Sequence, residues 1–140
     1  MSIHCHNFDA QNEQDMESLS PNIYVHDMNA TIAFYQILGF GPVMTVPENG
    51  ENPIWAMVKN GNVTLMFESF KNIEGRLPEI SRTNGGSLLL YINVKDIQRF
   101  FESIKDKVTV LSGLEKTFYG ATEFVIKDCN GYVLTFAEHE

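Results

Sequence analysis

At 140 residues the chain is long enough for one domain with a substantial core, and its apolar (44%) and charged (20%) fractions are those of an ordinary globular protein. A formal net charge of -8 argues against nucleic acid or an anionic membrane as partner and favours cationic ligands. No apolar run approaches membrane-spanning length, no apolar stretch follows Met1, and Cys5 and Cys129 make no disulfide framework, so the expectation is a cytoplasmic protein.

Residues 1–19 are polar and aperiodic, which predicts an arm ahead of the domain. His4, Cys5 and His6 lie in it, but no second cluster completes a tetrahedral metal set. Asn22 to Val25 alternates as a short strand, with Ile23 and Val25 on one face and Asn22 and Tyr24 on the other. Asp27 then caps a helix whose apolar positions are Met28, Ile32, Tyr35 and Leu38, and Gly39 suits its C-terminal turn. Phe40 to Pro47 is expected as a strand with Val43 and Thr45 inward, followed by a loop to Pro53. Ile54, Ala56 and Val58 alternate with Trp55, Met57 and Lys59. Asn60-Gly61 makes a turn, and Val63, Leu65 and Phe67 alternate with Thr64, Met66 and Glu68. Residues 70–85 mix Gly, Pro, Asn and charges and read as a linker.

The pattern then restarts. Leu88, Leu90, Ile92 and Val94 alternate with Leu89, Tyr91 and Asn93. Asp96 is the expected cap of a helix carrying Ile97, Phe100, Phe101 and Ile104. Val108 to Leu114 is a strand, and a hairpin turning at Asp128 to Gly131 closes the chain. Val25-His26-Asp27-Met28 matches Val94-Lys95-Asp96-Ile97, and the Lys59 turn matches the Lys127 turn with one residue more in the second. The order is β-α-β-β-β twice: an α+β domain over 20–140, with modules at about 20–69 and 86–140.

In each module the regular apolar set covers one sheet face against the helix. The opposite faces are mixed, and they supply the candidate ligand-binding residues Trp55, Met57, Met66, Glu68, Tyr91, Asn93 and Glu123, to which the loop from Glu115 to Gly120 adds Tyr119. A face of this composition serves either a small-molecule pocket or a contact with the other module or a second chain.

Several stretches carry a family likeness. Ala33-Phe34-Tyr35 precedes Leu38-Gly39-Phe40. Val63 to Met66 and Asn84 to Ile97 follow. Tyr119-Gly120 leads to Glu123-Phe124 and then to Asp128 with Asn130-Gly131. From Asn22 to Glu138 the chain resembles the vicinal oxygen chelate superfamily of glyoxalases, ring-cleaving dioxygenases and bleomycin resistance proteins, the last most of all. It departs from the pattern in having Cys129 where the family turn usually carries Pro and Tyr119 where it often carries Trp. The resemblance implies two βαβββ modules forming a curved mixed sheet, with helices outside and a concave ligand cup. It also implies a homodimer. Metal-dependent members bind one metal from four positions that correspond here to Ser20, Met66, Leu89 and Thr135, a set that cannot make a divalent metal site. A slip of two residues gives Asn22, Glu68, Tyr91 and Ala137, with one carboxylate. His4, His6, His26 and His139 are all expected outside the strands. No metal and no cofactor is therefore expected.

Other catalysts are no better provided for. Cys129 sits in a turn with no histidine near it in sequence. Glu68 and Glu123 serve either as bases or as rim carboxylates that orient a ligand, and no catalytic residue is assigned. Trp55, Tyr91 and Tyr119 offer flat stacking faces. The reading is a small-molecule-binding protein of the antibiotic-resistance kind, sequestering an aromatic or cationic ligand. The alternatives are a lyase, isomerase or dioxygenase of the same superfamily, and a ligand sensor acting through a partner protein.

Overall fold

A computed structural model describes residues 13–83 and 85–140. The His4-Cys5-His6 cluster and Asn84 lie outside the described residues. Module 1 runs β1 (Asn22–Val25), α1 (Met28–Ile37), β2 (Gly41–Val46), β3 (Trp55–Asn60) and β4 (Val63–Ser69), ending in a 3₁₀ turn at Phe70–Ile73. Module 2 runs β5 (Leu89–Asn93), α2 (Ile97–Ile104), β6 (Thr109–Lys116), β7 (Ala121–Lys127) and β8 (Val133–His139). The βαβββ order thus occurs twice, in mixed sheets with the helices outside. The strands hydrogen-bond as two four-stranded sheets, ordered β1-β4-β3-β2 and β5-β8-β7-β6. In each, the first strand is parallel to the last and the other pairs are antiparallel. Asn22 lies opposite Met66 as Tyr91 lies opposite Thr135, so the repeat read in the sequence is a repeat in register.

The helix ends show how local chemistry sets these elements. Asp27 Oδ1 accepts from the Ala30 amide at 3.0 Å, an N-cap in extended conformation. At the other end Gly39 takes φ 94°, and the Gly39 and Phe40 amides return to the Gln36 and Tyr35 carbonyls, a Schellman closure that only a left-handed residue permits. The second helix starts differently from the expectation. Asp96 is itself left-handed at φ 57°, and its side chain makes no cap bond. The Asp96 and Ile97 amides instead donate to the Glu138 carboxylate on β8, both at 3.0 Å. Those bonds hold the Glu138 carboxyl below its usual range. Val43 also departs from expectation. A register shift between Pro42 and Met44 turns it outward, 56% exposed, while Thr45 faces in.

The inward faces of both sheets and both helices join in one apolar core, with Val25, Tyr35, Phe67, Phe124, Ile126 and Leu134 among its most buried members. The modules are tied by polar contacts at one junction. Tyr35 donates to Asp128 Oδ2 at 2.7 Å, and Asp128 Oδ1 accepts from the Asn130 and Tyr132 amides at 2.8 Å each. Asn130 Nδ2 donates to Thr31 Oγ1 at 2.9 Å, and the Tyr132 hydroxyl donates to the Tyr24 carbonyl at 2.8 Å.

Candidate functional site

Strand alternation sends Asn22, Tyr24, Trp55, Met57, Met66 and Glu68 to the face of the first sheet opposite α1, where all are partly buried. Glu68 stands between two aromatic neighbours in register, Tyr24 on β1 and Trp55 on β3. Its carboxylate is fixed by two amides: Asn22 Nδ2 donates to Oε1 at 2.9 Å and Asn72 Nδ2 to Oε2 at 2.8 Å. Asn22 Oδ1 is left buried with no hydrogen-bond partner. A buried amide oxygen without a donor is costly, and a ligand N–H or O–H would satisfy it. Met57 and Met66 lie opposite one another beside this group and supply an adaptable apolar floor.

The second sheet carries a different cluster on the corresponding face. Glu123 Oε2 accepts from the hydroxyls of Tyr91 and Tyr119, both at 2.6 Å. Tyr91 donates its proton to Glu123, so its oxygen is free to accept from His139 Nε2, 3.1 Å away, in the tautomer that carries the hydrogen there. The two phenol bonds, Tyr119 first, hold the Glu123 carboxyl below its usual range, with the His139 ring adding to the effect. The same bond to Glu123 pushes the Tyr91 hydroxyl up to about 12. Tyr91 and Tyr119 are 45% and 52% exposed, so this carboxylate and its aromatic flanks are open to an incoming molecule.

The eight expected ligand residues thus divide. Trp55, Met57, Met66 and Glu68 share the first face, and Tyr91, Tyr119 and Glu123 converge on the second. Asn93 lies opposite Ala137 but makes no bond in the cluster; it borders a separate cavity between the modules. His139 was expected outside the strands, yet it is the last residue of β8. The signal was present, because Val133, Thr135, Ala137 and His139 continue one alternation. Asn72 gave no such signal, since it reaches Glu68 from the 3₁₀ turn at Phe70–Ile73, within the stretch read as a linker. Cys129 is unsuited to thiolate chemistry: burial pushes its thiol up, and its sulfur lies 3.9 Å from the Ala30 carbonyl.

The sequence profile of the glyoxalase/bleomycin resistance protein/dioxygenase superfamily matches residues 18–136. The chain belongs to this superfamily. No curated protein sequence matches it. Solved structures share the fold. A bleomycin-binding protein complexed with bleomycin is 21% identical with a TM-score of 0.62, the match covering 89% of this chain and 100% of that one. A glyoxalase/bleomycin resistance protein/dioxygenase family enzyme from Burkholderia phytofirmans PsJN is 23% identical with a TM-score of 0.71, covering 86% and 97%. TioX from Micromonospora sp. ML1 is 16% identical with a TM-score of 0.71, covering 89% and 100%. At these identities the likeness is one of fold.

Metal-binding members of the superfamily would use the places held here by Ser20, Met66, Leu89 and Thr135. The donors do not fit. A thioether, an alkyl chain and two hydroxyls do not replace the imidazoles and carboxylates that a divalent ion needs. Among the described residues no three His, Cys, Asp or Glu side chains gather to hold an ion. What the two faces do offer is a pair of fixed carboxylates, each flanked by aromatic rings.

Proposed function

We propose that this superfamily member is a binding protein of the bleomycin-resistance type, which holds a flat cationic small molecule on its concave faces and sequesters it unchanged. The observation that carries the reading is Glu123, a carboxylate held by two half-exposed phenols at 2.6 Å. Those bonds keep it charged and aim it while leaving room for a ligand cation. Trp55 beside Glu68 repeats the combination in the other module. A cation on such a ring contributes about 0.5–2 kcal/mol, and the net charge of -8 speeds its approach at low salt. The bleomycin complex among the structural relatives supports the class of ligand.

The test is equilibrium dialysis of the purified protein against planar cationic compounds, bleomycin included, with the compound recovered and checked by mass. Saturable retention of an unaltered compound, weakened by Glu123→Gln, is expected. Conversion of the compound, or no retention across the panel, would contradict the proposal.

The protein in this reading is a homodimer in which a second chain closes the open faces. Support comes from large apolar side chains that a lone chain leaves in water: Leu89 at 48%, Leu111 at 51% and Phe118 at 100% exposed. A second functional reading has one observation in its favour. The His139–Tyr91–Glu123 chain is an imidazole, a phenol and a carboxylate in hydrogen-bond sequence, which is general acid–base equipment. In that enzyme His139→Ala would abolish turnover of a ligand that it still binds.

A further inference from the structure

The two module junctions are built on the same plan and closed differently. At the first, the turn after β7 lies against α1, and the space is filled by the Asp128–Tyr35 and Asn130–Thr31 bonds. At the second, the turn after β3 faces α2. That turn is one residue shorter, counted between the register pairs Lys59–Thr64 and Lys127–Val133. The counterparts of Tyr35 and Thr31 on α2 are Ile104 and Phe100, which have no polar group to meet it. The Asn60 amide turns back to its own module, donating to the Leu38 carbonyl at 3.3 Å.

What remains is a cavity of about 470 Å³ on the helix side of the sheets, away from Trp55, Glu68 and Glu123. Leu38, Phe40, Phe100 and Phe136, with Val63 at the turn, make part of its wall apolar and aromatic, and Asn60, Asn62 and Asn93 line it as well. Phe100 and Phe136 meet edge to face at 5.0 Å, which fixes the wall. Lys95 lines the same space and makes no ion pair among the described residues. The volume is within the range of sites for small organic ligands, about 300–1,000 Å³.

We propose that this junction cavity is a second ligand site, distinct from the concave faces, for a small apolar carboxylic acid. The ring or alkyl body lies among Phe40, Phe100 and Phe136, and the carboxylate meets the Lys95 ammonium. The charge preference is opposite to that of the concave faces, because here the one ionised side chain in the lining is a cation.

The probes are 4-phenylbutyrate and its neutral analogue 4-phenylbutanol, titrated into protein with labelled methyl groups and read by NMR. Saturable binding of the acid with a Kd below about 1 mM is expected, with shifts at Leu38, Val63 and Val94 and none at Met57 or Met66. Lys95→Met weakens the acid about tenfold and leaves the alcohol unchanged. Val63→Phe fills the space and removes both; Val94→Phe serves the same end if the first does not fold. Binding of a planar cation at Trp55 stays intact in all three variants, so the two sites stand or fall separately. Absence of saturable binding by either probe, or shifts confined to the concave-face methionines, would overturn the proposal.

Discussion

Replacing Tyr35 by Phe tests the joint that holds the modules together. Tyr35 is fully buried, and its ring packs on Phe67 at 4.8 Å and on Phe40 at 5.7 Å between centroids. Phenylalanine keeps those contacts, so the change removes one hydroxyl and little else. The hydroxyl donates to Asp128 Oδ2 at 2.7 Å, while Oδ1 is occupied by two backbone amides. A hydrogen bond to a charged acceptor contributes about 1.5–3 kcal/mol, and its loss here leaves a buried carboxylate oxygen without a donor. The expected loss is about 2 kcal/mol, or about 7 °C in Tm for a chain of this size. Asp128→Ala orphans two amides and the Tyr35 hydroxyl together and is expected to cost about 3–5 kcal/mol. Urea unfolding followed by circular dichroism gives both values. In the Asp128→Ala background Tyr35→Phe costs almost nothing, because its partner is already gone. If Tyr35→Phe loses less than about 0.5 kcal/mol, or the two changes simply add, the buried bond does not join the modules.

Glu138→Gln speeds hydrogen exchange at the Asp96 and Ile97 amides several-fold and leaves the Ala30 amide unchanged, because only α2 is capped from β8. The Glu123 carboxyl titrates below the ordinary carboxylate range, so the stability that its charge contributes is present above that range and is lost as pH falls through the lowered value. Tyr119→Phe moves the titration back up, read by carboxyl NMR, and an unmoved midpoint would refute the assigned cause. Light scattering at micromolar concentration gives twice the mass of the 15.9 kDa chain; the monomer mass at all concentrations would refute the dimer.

The fold was legible because its determinants are local and repeated. Alternation fixed which side chains share a face, Asn-Gly and Asp-x-Asn-Gly marked the turns, and Asp27 and Gly39 bounded α1 where the motif predicts. Asp96 misled because a cap motif can be satisfied from elsewhere: the Glu138 carboxylate lies far away in sequence. Val43 misled because a bulge reverses parity there, at a break whose first residue, Pro42, was the available signal. At the site, parity found Trp55, Glu68, Tyr91 and Glu123. It could not show that Tyr91 and Tyr119 end on one carboxylate oxygen, since that depends on the sheet's register and on a loop. His139 lay one alternation beyond the expected end of the strand.

Trp55 is the chain's one tryptophan and neighbours Glu68 in register, so its emission reports directly on the proposed site. The measurement is a fluorescence titration with planar cationic compounds, in the parent protein and in Glu123→Gln and Glu68→Gln. Saturable quenching in the parent is predicted, weaker in each variant and weaker at high salt. Unchanged emission across the panel, with iodide still able to quench Trp55, would contradict the account.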